Sequence, residues 1–75
     1  MKTLALLFPI DWFSREQIET LSDSEAYGMA KTAVEDGEGD IYELKEFAAD
    51  LNAGMGLDDY WVKFVKVETD EDWSK

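Results

Sequence analysis

Carboxylates are the side chains of this 75-residue chain that could do chemistry: eighteen Asp and Glu stand against seven Lys and Arg, with no His and no Cys. Without thiols or imidazoles, the usual zinc ligands and the usual acid–base group near neutral pH are missing. Metal or proton chemistry would have to come from oxygen. The acidic segment Glu35-Asp36-Gly37-Glu38-Gly39-Asp40 approaches the spacing of an EF-hand loop. With Ile41 at the eighth loop position, Asp36 takes the third, Glu38 the fifth and Gly39 the sixth, but the first falls on Val34 and the last on Lys45. Those two ends are where calcium needs its anchoring carboxylates. The segment therefore reads as a solvated acidic turn, and no metal is expected there.

The other acidic pairs, Asp58-Asp59, Asp70/Asp72 and Glu43/Glu46, are what chance supplies in so acidic a chain, and neighbours on a strand point apart. Gly37-Glu38-Gly39 is ringed by acids and Gly54-Met55-Gly56 precedes a strand, so neither cradles a phosphate at a helix start. The serines stand at helix starts, and no histidine can activate one. No catalytic residue, metal or cofactor is assigned, and a non-enzymatic protein is expected.

Charge is the strongest global signal, at −11 net with a pI near 4.1. Such a field repels nucleic acid and anionic membranes and attracts basic surfaces. The expected function is an interaction or regulatory role, through a basic protein surface or through self-association. Asp36, Glu38, Asp40, Asp58 and Asp59 are the candidate contacts. Indoles dominate interface energetics, so Trp12, Trp61 and Trp73 join them, whereas Phe13, Phe47 and Phe64 are assigned to the core. In acidity and size alone, the chain is similar to small acidic antirestriction proteins and other phage or mobile-element inhibitors that mimic the charge of DNA. That resemblance implies the alternative function, a DNA-mimic inhibitor of a nucleic-acid enzyme.

The elements that must position these residues are read from periodicity. Met1–Phe8 resembles the start of a secretory signal, but Pro9 and Asp11 interrupt it and no small-x-small pattern follows. Thr3–Phe8 is read instead as a strand buried on both faces, far too short to cross a membrane, and a cytoplasmic location is expected. Ser14-Arg15-Glu16-Gln17 and Ser22-Asp23-Ser24-Glu25 both fit the capping box that opens a helix. The second opens a helix over Asp23–Glu35; the first opens either a separate short helix or the front of one bent helix. Gly28 inside the longer helix suggests close packing against a neighbour. Ile41–Leu44 reads as a short strand, and about Lys45–Ala53 as a helix burying Leu44, Phe47, Ala48 and Leu51. Gly54 is its left-handed cap.

Tyr60–Val67 alternates with apolar residues on both faces, which makes it the central strand or one whose second face meets another chain. The expected fold is α+β: a small three-stranded sheet in β-α-β-α-β order, with two to three helices packed mainly on one face. Its crossovers would allow parallel neighbours or a mixed sheet. Three closed layers look out of reach at this length, which leaves one sheet face exposed or paired in a possible homodimer. Residues 1–67 form the expected domain, and 68–75 an acidic, frayed tail.

Overall fold

The computed structural model describes residues 1–74. It has the expected α+β architecture, in the order β1 (Lys2–Pro9), α1 (Arg15–Glu19), α2 (Asp23–Glu35), β2 (Asp40–Glu43), α3 (Leu44–Asn52) and β3 (Tyr60–Val67). The sheet order is β2-β1-β3 and both pairings are antiparallel, so the parallel or mixed sheet is not what forms. The central strand is β1, not β3. The physical reason lies in their composition. Leu4, Ala5, Leu6, Leu7 and Phe8 are all buried and carry no polar group, whereas β3 bears Lys63 and Lys66, whose ammonium groups need an edge from which to reach water.

Leu4, Leu6 and Phe8 point to one sheet face, where they meet Ile18 of α1, Ala26 and Ala30 of α2, Ile41, Val65 and Val67. Two helices thus share this face. They are separate: α1 ends at Thr20, and the Ser22 cap starts α2 afresh. Both capping boxes form with serine and Gln17 or Glu25 as partners. The opposite face is covered after all. Ala5, Leu7 and Tyr42 pack with Phe47 of α3, and the partly buried Met55, Leu57, Tyr60 and Val62 complete the cover.

Only Phe47 of the four predicted α3 core residues is buried; Leu44 is 44% and Leu51 40% exposed, and Ala48 is exposed too. The Phe47 ring wedges between Tyr42, at 5.9 Å, and Phe64, at 5.7 Å. The flank of α3 that carries Leu44 and Leu51 is left toward solvent. Phe64, predicted to be core, is accordingly 55% exposed, because α3 covers β2 and β1 and stops short of the edge strand.

Both longer helices end in a paired 6→1 and 5→2 backbone closure through a left-handed glycine. Gly37 (φ 77°) closes α2, with Gly37 and Glu38 N–H donating to Val34 and Ala33 carbonyls. Gly54 (φ 96°) closes α3, as predicted, with Gly54 and Met55 donating to Leu51 and Asp50. Gly28 is different. A methyl group there would meet nothing within 4 Å, so the close packing inferred from sequence is absent and the position carries only the helix-propensity cost of glycine. Gly28→Ala is expected to stabilise the fold by about 1 kcal/mol, raising the midpoint of thermal unfolding by roughly 4–8 °C. Differential scanning calorimetry checks this, with Gly39→Ala as the opposing control. A methyl at Gly39 would sit 2.7 Å from the Leu7 carbonyl oxygen, which forces the backbone apart.

Candidate functional site: an acidic end of the sheet

The strand register gathers the predicted acidic residues at one place. β1 runs toward Pro9, which pairs with Tyr60, while its Leu7 pairs with Asp40. Hence the loop leaving β1 (with Asp11 and Trp12), the loop entering β2 (Asp36, Glu38, Asp40) and the turn entering β3 (Asp58, Asp59) all lie at the same end of the sheet. Gly39 seats the second loop against Leu7 and Pro9. The third is tied to the first by Ile10 N–H donating to the Asp59 carbonyl at 3.1 Å. Segments 9–13, 35–40 and 57–59 contain Asp11, Glu35, Asp36, Glu38, Asp40, Asp58 and Asp59, and no Lys or Arg. Asp11 and Glu35 were not singled out from sequence; their membership follows only from knowing which loops meet.

Helix direction adds to this charge. Both α2 and α3 end here, and neither has a base in its last turn. Their terminal carbonyls direct partial negative charge the same way. The opposite end differs: it bears Lys2 and Lys66, and Lys2 pairs with Glu43 at 3.7 Å. Trp12, 47% exposed, stands in the acidic end as its large apolar surface.

Trp73 lies elsewhere, and Trp61, although at this end of the sheet, is turned into the core. Trp61 is half-buried against the first core cluster and donates its indole N–H to the Phe13 carbonyl at 2.8 Å, pinning the loop that precedes α1. Trp73 lies on α2, donating to the Tyr27 hydroxyl at 2.9 Å with its ring edge-on to Tyr27. Among its described residues, 68–74, the tail expected to fray has no regular secondary structure, but it is clasped; Lys75 lies outside the described residues. Glu71 meets Lys31 and the Tyr27 hydroxyl, Thr69 reaches the same hydroxyl, and Lys2 donates to the Glu71 carbonyl. An aperiodic charge run gives no sign of such pairing until α2 presents Tyr27 and Lys31 on one surface.

Tyr42 braces the acidic end from below. Its hydroxyl engages the carboxylates of Asp40 and Asp50, tying β2 to the last turns of α3, and burial first, then the Asp40 and Asp50 charges, push its pKa up to about 12. No family model, no curated protein and no solved structure matches the chain.

Two titrations follow. A phenol held protonated only in the fold contributes stability that is complete below the ordinary tyrosine pKa of 10 and is lost as pH rises from there through about 12. Ultraviolet absorbance should therefore show one tyrosine ionising near 12, absent in Tyr42→Phe. On the acid side, the Lys31 ammonium and then the Tyr27 hydroxyl hold Glu71 below its ordinary value of 4.5. Its contribution is present above 4.5 and lost as pH falls through the lowered value. Trp73 fluorescence should report release of the tail in that acid range, and Glu71→Gln should release it at neutral pH.

Proposed function

We propose that the chain is a non-enzymatic interaction protein of the cytoplasm that docks the acidic end of its sheet onto a basic protein surface. The observation that carries this is the convergence of three acidic segments without Lys or Arg and two helix C-termini at the end of the sheet that also bears the exposed Trp12. Carboxylates spread over a solvated surface serve solubility; carboxylates concentrated at one end, on segments that carry no Lys or Arg, form a directed field that steers a cationic partner. Trp12 supplies what charge cannot: a large apolar surface to be desolvated at the centre of a contact, ringed by groups that pair with Lys or Arg. Asp36, Glu38, Asp40, Asp58 and Asp59 act as that ring. No helix among the described residues is long and apolar enough to cross a membrane.

The test is affinity capture with the wild-type chain beside two variants, Trp12→Ala and the combined Asp36→Asn, Glu38→Gln, Asp58→Asn, Asp59→Asn. A basic protein retained by wild type should elute as salt rises, as expected for exposed charge pairs beyond a Debye length of roughly 8 Å at physiological ionic strength. Each variant should weaken it by tenfold or more, on the order of 1.4 kcal/mol. Retention that survives both variants, or that ignores salt, rejects the proposal. A DNA-mimic inhibitor differs in one outcome: its captured partner is a nucleic-acid enzyme that duplex DNA displaces.

A further inference from the structure

Three side chains of the C-terminal segment meet at one atom. The Tyr27 hydroxyl lies 3.1 Å from the Thr69 hydroxyl, 3.1 Å from Glu71 Oε1 and 2.9 Å from the Trp73 indole nitrogen. Residues 69, 71 and 73 alternate, which is the spacing of an extended chain. A phenol has one proton to donate and two lone pairs with which to accept. Donation to Glu71 leaves the oxygen to accept from Thr69 and Trp73, so its whole capacity is spent on this segment. Lys31 completes the group, pairing with Glu71 and lying 5.4 Å from the centre of the Tyr27 ring. Lys2 grips the Glu71 carbonyl from the β1 side at 2.7 Å. Among the described residues, no backbone–backbone hydrogen bond joins 68–74 to the rest of the chain.

We propose that residues 68–74 form a two-state strap, either closed on α2 or wholly free, with the Tyr27 hydroxyl as the latch that an arginine of a docking protein opens. The shared atom is the reason for two states. A tail held by separate contacts frays from its end, losing Trp73 first and Thr69 last. Here, turning the phenol away breaks all three contacts together, and losing Glu71 removes the acceptor that orients the phenol toward the other two. The latch can be reached from outside, since the Lys31 and Glu71 side chains are 35% and 45% exposed. Lys31 and Tyr27 both engage Oε1 of Glu71. A guanidinium takes both oxygens of a carboxylate in one planar fork, which an ammonium cannot do, and so displaces Lys31. Opening frees Trp73, the one large apolar side chain of the segment, beside the partner that opened it. The trigger rests on the basic partner proposed above; the latch does not.

Solution NMR of the full chain tests both parts. Tyr27→Phe keeps the ring and removes the oxygen, and should move the resonances of residues 69, 71 and 73 toward random-coil values by a common fraction. Oligoarginine added to wild type should do the same, with Thr69 and Trp73 following a single titration curve. Oligolysine of equal length should need about tenfold more. In the variant carrying Asp36→Asn, Glu38→Gln, Asp58→Asn and Asp59→Asn, oligoarginine should still open the strap while the Trp12 resonances no longer respond, so the strap and the acidic end fail separately. A strap that stays closed in Tyr27→Phe or under oligoarginine, release of Trp73 with Thr69 still held, or equal potency of the two peptides overturns the inference.

Discussion

Burial of β1 on both faces is the constraint from which the rest of the structure follows. Five consecutive side chains, Leu4 to Phe8, are withdrawn from water, each large one worth about 1.5–3 kcal/mol when fully buried. No strand at a sheet edge can achieve that, so the chain must return on both sides of β1 and cover it above and below. The two faces are unequal. Leu4, Leu6 and Phe8 require the broad cover of α1 and α2, while Ala5 and Leu7 are sealed by α3 through Phe47. Residue volumes in one strand thereby set how many helices each face receives.

Direction follows from the same constraint. Flanking β1 with two antiparallel partners obliges both β2 and β3 to begin where β1 ends, and α2 and α3 to finish there. The loops that carry Asp36, Glu38, Asp58 and Asp59 are the loops that lead into those strands. The electrostatic polarity of the molecule is a consequence of its topology as much as of its composition, and a different strand order would have scattered the same carboxylates.

Local signals were legible in the sequence to the extent that their physics is local. The Ser14 and Ser22 caps, the Gly54 closure, the buried Thr3–Phe8 run and five of the six elements could be read from neighbours a few residues apart; whether the Ser14 helix stands apart from the next could not. Features decided by packing between distant segments could not. The Tyr60–Val67 alternation looks central until Lys63 and Lys66 are weighed as edge residues. Phe64 and Leu51 look like core until α3 is found to cover only two strands. Trp73 looks frayed until Tyr27 presents its hydroxyl. The candidate site shows the same division: the acidic residues were visible one loop at a time, but their meeting at one end of the sheet required the register of β1 with both neighbours.

The polarity itself can be measured without any partner. Paramagnetic relaxation of the backbone amides by a cationic and an anionic nitroxide of equal size maps the potential residue by residue. The ratio of cationic to anionic enhancement should be highest at Trp12, Asp36, Glu38 and Asp58 and fall toward Lys2 and Lys66 at the other end of the sheet. A ratio equal at both ends, or higher beside Lys2 and Lys66, would contradict a directed acidic end.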